Sequence, residues 1–97
     1  MRDYILSPAA RIDLHEIWDY IAQDDLDAAD RVREEIHEAI GKLTEMPGMG
    51  HVRADLADET LRVWCVHTYL IVYRPEARPL EIVRIVSGYR DIPSLFR

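Results

Sequence analysis

The segment between Leu61 and Asp91 most constrains the fold, because three short runs rich in β-branched and aromatic residues follow one another closely there. A tight turn near His67 separates the first two runs, and a proline-bounded loop at Pro75–Pro79 separates the last two. Connections this short join antiparallel strands, since a parallel crossover needs a dozen residues or more. The segment therefore predicts an antiparallel, three-stranded meander.

The two faces of this meander differ in composition. Side chains alternate along a strand, so Leu70 and Val72 of the middle strand share an aliphatic face, on which Cys65 of the first strand also falls. In the last strand, alternation separates Val83 and Ile85 from Ile82, Arg84 and Val86. The second face mixes aromatic and basic side chains, among them Arg62, Trp64, Tyr69, Tyr73 and Arg84. We expect helices to cover the aliphatic face, Cys65 to be a buried and inert thiol, and the mixed face to carry the function.

Two amphipathic helices precede the meander. After a short strand at Tyr4–Leu6, Ser7 and Pro8 form a helix start signal, with the serine as N-cap and the proline in the first turn. Apolar residues then recur at helical spacing to about Gln23, and Asp24 or Asp25 can cap a second helix. The apolar positions of that second helix are Ala29, Val32, Ile36, Ala39 or Ile40, and Leu43. Proline and glycine in Met46–Gly50 end it, which predicts an antiparallel helical hairpin.

The resulting order is strand, helix, helix, strand, strand, strand. We expect a single domain over residues 1–97, of the two-layer α+β class, with the helical hairpin packed on a mainly antiparallel β-sheet. There is no long apolar run and no basic leader followed by a hydrophobic region, so we expect a cytoplasmic protein without a membrane partner.

The net charge is −6, which opposes direct binding to free nucleic acid. The acidic residues crowd the helical part, whereas most arginines fall in the C-terminal half and lysine is almost absent. Arginine is suited to bidentate and stacked contacts rather than to diffuse attraction. Ordinary solvated charges on the strands remain an equally simple interpretation of these arginines.

Several kinds of site are excluded. His15-Glu16 and His37-Glu38 begin like a zinc-protease helix, but neither has the second histidine four residues after the first. No glycine-rich loop has the spacing that holds phosphates, and no serine lies in a nucleophile elbow. We therefore expect no metal and no cofactor.

The mixed face permits two interpretations. Cleaving RNA through its own 2′-hydroxyl requires a base, cations and an acid. Arg62 and Arg84 could supply the charge and Tyr89 the acid, but only Glu81 is near enough in sequence to suggest a base. Alternatively, the tryptophan, tyrosines and arginines form a platform that binds another protein, because these residue types anchor interfaces.

The chain resembles the ParE branch of the RelE/ParE toxin superfamily over nearly its whole length. The resemblance rests on LSPAARIDLHEIWDYIA (Leu6–Ala22), Leu43 with Pro47 and Gly48, Arg62, Tyr69, Tyr73 and VRIVSGYRD (Val83–Asp91). It implies the toxin of a bacterial type II toxin-antitoxin pair, of the kind linked to plasmid stabilisation. Such a toxin is inactive in a hetero-oligomer with a ParD-like antitoxin, and it arrests growth when released.

The resemblance also frames the choice of target. ParE-type members poison DNA gyrase, whereas RelE-type members are endoribonucleases that cut messenger RNA on the ribosome. Arg62 and Arg84 match positions where the RNA-cutting branch keeps strand arginines, but Ser87 stands where many members have histidine. Arg90-Asp91 match the Arg-Asp pair that often closes ParE sequences.

These features favour a gyrase inhibitor that is not an enzyme; an endoribonuclease with Arg62, Arg84 and Tyr89 in its site, or a non-toxic module that only binds antitoxin, are the alternatives. The candidates for binding the antitoxin or the target are Arg62, Trp64, Tyr69, Tyr73, Arg84 and Arg90. We expect an antitoxin segment to cover Trp64, Tyr69, Tyr73 or their neighbours, or to lie along the helical hairpin.

Overall fold

The computed structural model describes residues 4–53, 55–56 and 58–88. Its elements are β1 (Tyr4–Leu6), α1 (Pro8–Ala22), α2 (Leu26–Glu45), β2 (Arg62–Val66), β3 (Tyr69–Arg74) and β4 (Leu80–Ser87), with one 3₁₀ turn at Pro47–Met49. The four strands form one sheet in the order β1-β4-β3-β2. This arrangement confirms the predicted two-layer α+β fold and its order of elements. None of the helices in the described part of the chain is long and apolar enough to cross a membrane.

The pairing of the strands is mainly antiparallel, as predicted. β2 and β3 form a hairpin around a turn at His67, whose φ of 56° is left-handed, and β4 returns antiparallel beside β3. β1 pairs with the other edge of β4 in parallel, with Leu6 opposite Ile82. β1 therefore lies next to β4, and α1 begins at the same edge of the sheet.

Both helices begin at the predicted caps. The Ser7 hydroxyl accepts a hydrogen bond from the Ala10 N–H at 3.0 Å and donates to the carbonyl oxygen of Val83 at 2.7 Å. The Asp25 carboxylate accepts from the Ala28 N–H at 3.1 Å. Each cap satisfies an amide that the helix cannot pair internally. Ser7 in addition joins the start of α1 to β4.

The prediction of which sheet face the helices cover is wrong. The helices pack on the face that carries Ile71 and Tyr73, with Trp64 and Tyr69 at its margin. Small side chains on the helices, Ala10 and Ala39, lie in this core and leave room for the large rings. The aliphatic residues form a second cluster on the opposite face: Leu56, Leu61, Val63, Leu70, Val72 and Val86, with Val83 beside them. Cys65 is exposed rather than buried.

A β-bulge breaks the alternation predicted for β4. Val72 lies opposite Arg84, but the next residue, Tyr73, lies opposite Ile82, so the pairing shifts by one residue. As a result, Ile82 and Ile85 both enter the helix-side core. A strict period of two would place them on opposite faces.

Tyr73 closes the fold beneath the turn that follows α2. Its side chain is 0% exposed, and its hydroxyl donates to the Pro47 carbonyl at 2.6 Å and accepts from the Gly50 N–H at 2.9 Å. Burial raises the pKa of this phenol, and the Gly50 hydrogen bond and the charge of Arg62 oppose that rise without cancelling it. Gly50 is required here because a Cβ at this position would lie 2.4 Å from the Tyr73 hydroxyl.

We expect Gly50→Ala to lower the free energy of unfolding by about 1–3 kcal/mol, because the added methyl group must displace a buried ring and its two hydrogen bonds. Gly48→Ala is the matched control, since a Cβ at Gly48 has no atom within 4 Å, and it should change stability by less than about 0.5 kcal/mol. Urea unfolding followed by circular dichroism measures both. Equal losses from the two variants would contradict the close packing of Tyr73 on Gly50.

Candidate functional site

Arg84, one of the two strand arginines predicted to serve the function, is held inside the protein by Asp13 of α1. Arg84 Nε lies 2.7 Å from Asp13 Oδ2, and its Nη2 lies 2.9 Å from Oδ1, so the pair is bidentate. The same carboxylate accepts the N–H of Ile85 at 2.9 Å. The hydrogen bond to Asp13 is the main cause that raises the pKa of Arg84. Asp13 is 8% exposed, so this ion pair fastens the helix layer to the bulge of β4.

Arg62, the other strand arginine, also has an internal partner. It lies on the edge strand β2, half-buried, and its Nη1 donates to the carbonyl oxygen of Gly50 at 3.0 Å. Burial raises the pKa of the Tyr73 phenol, and the positive charge of Arg62 partly opposes that rise. Arg62 therefore stabilises the turn after α2, while Arg84 stabilises the bulge. The two guanidinium groups thus have different internal partners, the Gly50 carbonyl and the Asp13 carboxylate.

The groups suggested as an acid or a base do not complete a nuclease site in the described residues. Glu81, the nearest acidic residue suggested as a base, pairs with Arg74 Nε at 3.0 Å. Arg74 is bound a second time, by Asp58 at 3.1 Å. Tyr89 and Arg90, the predicted acid and a predicted binding residue, lie outside the described residues, as does Asp91. No three metal-ligating side chains come together in the described part of the chain.

The aromatic residues predicted to form a binding platform differ in exposure, because one of the three is buried and the other two are half-buried. Tyr73 is fully buried, so no partner can reach it in this structure. Trp64 is half-buried and stacks on His51, with ring centroids 6.1 Å apart. Tyr69 is half-buried near Tyr20, and its pKa is raised mainly by burial and in addition by that neighbouring phenol. Of the predicted aromatic set, only Trp64 and Tyr69 retain accessible surface.

The helical hairpin, expected as an alternative place for the antitoxin, contains a groove between α1 and α2 whose residues were not predicted from the sequence. We call it the hairpin groove. Its volume is about 400 Å³, and its lining residues are Leu6, Arg11, Leu14, His15, Trp18, Arg33 and His37. The signal was present as two pairs at a spacing of four, Leu14 with Trp18 and Arg11 with His15, which place an apolar strip beside a basic one on α1.

Internal hydrogen bonds fix the walls of the hairpin groove. Trp18 Nε1 donates to Asp30 Oδ1 at 2.9 Å, across the two helices. The Tyr4 hydroxyl and His37 Nδ1 lie 2.8 Å apart at the β1 end. The Arg11 side chain, by contrast, is exposed and makes no hydrogen bond or ion pair with any residue that the structure describes. The groove thus offers a pre-formed apolar floor and an unneutralised cation, which suits an acidic, amphipathic peptide segment.

Comparisons with known proteins agree with the fold. The sequence model of a family described as the ParE toxin of the type II toxin-antitoxin system parDE matches residues 4–92. Among solved structures, a chain of the "Chromosomal ParDE TA system from P. aeruginosa" superposes with a TM-score of 0.72 at 20% sequence identity, covering 90% of this chain and 96% of that chain. The comparison with curated protein sequences gives no match.

We expect Asp13→Ala to lower the free energy of unfolding by about 3 kcal/mol or more, because it leaves Arg84 half-buried without its counter-ion and removes the acceptor of the Ile85 N–H. Asp19→Ala is the matched control on the same helix. Within the described residues, the Asp19 carboxylate pairs with His15 alone, at an exposed position, so its loss should cost less than about 1 kcal/mol. Chemical denaturation measures both, and a small loss from Asp13→Ala would contradict the role of the ion pair.

Proposed function

The chain belongs to the ParE toxin family of type II toxin-antitoxin systems, and from that premise we propose that an antitoxin neutralises it and that the released toxin inhibits DNA gyrase. The observation that carries this proposal is that both strand arginines have partners inside the protein. Arg62 donates to the Gly50 carbonyl oxygen, and Arg84 pairs with Asp13. RNA cleavage needs cations that are available to the developing charge on phosphate. Here both strand arginines are committed to the fold, which favours a toxin that acts by binding a protein.

The charge distribution supports the same choice. Among the arginines of the C-terminal half that the structure describes, Arg74 pairs with two acids and Arg78 donates to the carbonyl oxygens of Pro75 and Ala77. The net charge of the chain is −6. A protein that cuts RNA on the ribosome works against a highly negative surface and gains from an uncommitted basic patch. Gyrase is a cytoplasmic protein target, so we place the toxin in the cytoplasm.

We further propose that the antitoxin docks in the hairpin groove. The groove combines an apolar floor with Arg11, and an amphipathic peptide segment that carries an acidic residue complements both. The solved relative is described as a ParDE system, and we infer the same kind of toxin-antitoxin hetero-oligomer for this chain. The cognate antitoxin is to be sought in the product of an adjacent open reading frame.

We expect the purified full-length toxin to inhibit supercoiling by DNA gyrase and to trap cleaved DNA, and we expect stoichiometric antitoxin to relieve both effects. The assay titrates the toxin against gyrase and relaxed plasmid, with and without antitoxin. A folded toxin that arrests growth and leaves gyrase unaffected, while messenger RNA is cut during translation in an extract, would replace this proposal with the endoribonuclease. A folded toxin that binds antitoxin and does not arrest growth would identify a non-toxic module.

We expect Arg11→Glu to weaken antitoxin binding by about tenfold or more, because it places like charge against the acidic residue of the bound segment. Arg31→Glu is the matched control, since Arg31 is an exposed arginine on α2 that does not line the groove. Isothermal titration calorimetry measures both variants at the same ionic strength. Equal effects of the two charge reversals would show that only net charge matters and would exclude the hairpin groove as the docking site.

A further inference from the structure

A second cleft lies on the flank of α1 opposite the hairpin groove. It is formed by α1, the turn between β2 and β3, and the end of β4, and its volume is about 480 Å³. The floor is apolar and consists of Ile17, Ile85 and Val86. Glu16 and Tyr20 of α1 and Tyr69 of β3 complete the part of the lining that matters here. We call this site the cation cleft.

The cation cleft keeps one negative charge. Asp13 also lines it, but Asp13 and Arg84 form a bidentate pair and neutralise each other. The Glu16 carboxylate is exposed and makes no hydrogen bond or ion pair with any residue in the described ranges, although its charge contributes to the raised pKa of Arg84. Tyr69 adds no charge, because a phenol is neutral at physiological pH and burial raises its pKa further. Glu16 is therefore the group whose charge a ligand can complement.

The apolar floor, the two phenol rings and the carboxylate of the cation cleft together match one type of ligand group. A lysine or arginine side chain has an aliphatic stem that packs on apolar surface and a cationic end that favours a carboxylate and an aromatic ring. A divalent metal ion fits poorly, because it requires several oxygen ligands and Asp13 is already committed to Arg84 and to the Ile85 N–H. Tyr20 is 74% exposed beside the cleft, as expected of an aromatic residue that anchors a protein interface.

We propose that the cation cleft receives a lysine or arginine side chain of the antitoxin. This inference rests on the proposed function, in which the antitoxin occupies the hairpin groove on the other flank of the same helix. The two sites are separated by the width of α1, about 10 Å, which three or four residues of extended chain span. The bound segment thus crosses α1, with an acidic residue near Arg11 and a basic residue near Glu16.

The first test compares antitoxin affinities of full-length toxin variants by calorimetry. Glu16→Gln should weaken binding about fivefold and Glu16→Arg about fiftyfold, because the first removes the attractive charge and the second reverses it. The matched variants Glu34→Gln and Glu34→Arg change an exposed acidic residue of α2 outside the cleft and should alter affinity less than about twofold. Tyr20→Ala should weaken binding while Tyr20→Phe should not, because the ring rather than the hydroxyl contacts the cation.

A second test does not use the antitoxin. Amide NMR spectra of the toxin are recorded with N-acetyl-arginine methylamide and with its neutral analogue made from citrulline. The arginine compound should shift the signals of Glu16, Tyr20 and Tyr69, the citrulline compound should not, and Glu16→Gln should abolish the difference.

The outcomes separate the two proposals. Normal antitoxin binding by Glu16→Gln and Glu16→Arg would overturn the antitoxin side chain as the occupant and leave the proposed function intact. If the shifts are equal for the arginine and citrulline compounds, or absent for both, the proposal that the cleft selects a cationic side chain is refuted. No antitoxin binding by the wild-type toxin would refute the proposed partner, and the NMR comparison would still decide whether the cleft selects a cation.

Discussion

The contact on which the rest of the structure depends is the carboxylate of Asp13, which accepts three hydrogen bonds from the bulge of β4. Asp13 accepts the N–H of Ile85, beside the bulge, while it neutralises Arg84, so two polar groups of β4 are satisfied by one carboxylate. The shift in register brings both Ile82 and Ile85 to the helix-side core. One buried acid thus adds a polar attachment to the apolar core that joins the helical hairpin to the sheet. Ser7 adds a second attachment, to the Val83 carbonyl in the same bulge.

The same contact limits what the protein can do. An arginine on the central strands is a natural cation for phosphate chemistry, but a guanidinium held bidentately by a buried carboxylate cannot turn toward a substrate without leaving that carboxylate uncompensated. Arg62 is held less firmly, by one hydrogen bond to the Gly50 carbonyl oxygen. Because one fold can carry different activities, the state of these two side chains is more informative about function than the fold itself. Their internal bonds are the physical ground for the proposal that this toxin acts by binding a protein rather than by cutting RNA.

The sequence predicted the elements well because their signals are local. Ser7-Pro8 and Asp25 mark helix starts, and the turn at His67 marks the hairpin, each within a few residues. The covered face of the sheet could not be predicted, because β3 has apolar side chains on both faces. Tyr73 was expected on the exposed face of the sheet. Its burial depends on hydrogen bonds to Pro47 and Gly50, which lie more than twenty residues away in the sequence. The pairing of Asp13 with Arg84 spans 71 positions, and neither residue carries a local mark of it.

In the proposed complex, the charges on the two flanks of α1 set the direction in which the antitoxin segment crosses the helix. One flank presents Arg11 and the other presents Glu16, so the two edges of a single helix carry opposite charge. A bound segment that crosses the helix must match this order, and a segment with the reverse order meets like charge at both edges. Like-charge contacts at an interface cost more than matched contacts gain, so they exclude wrong partners efficiently. On this argument, the fold supplies the apolar floor on which an antitoxin packs, and the charge order across α1 selects which antitoxin it is.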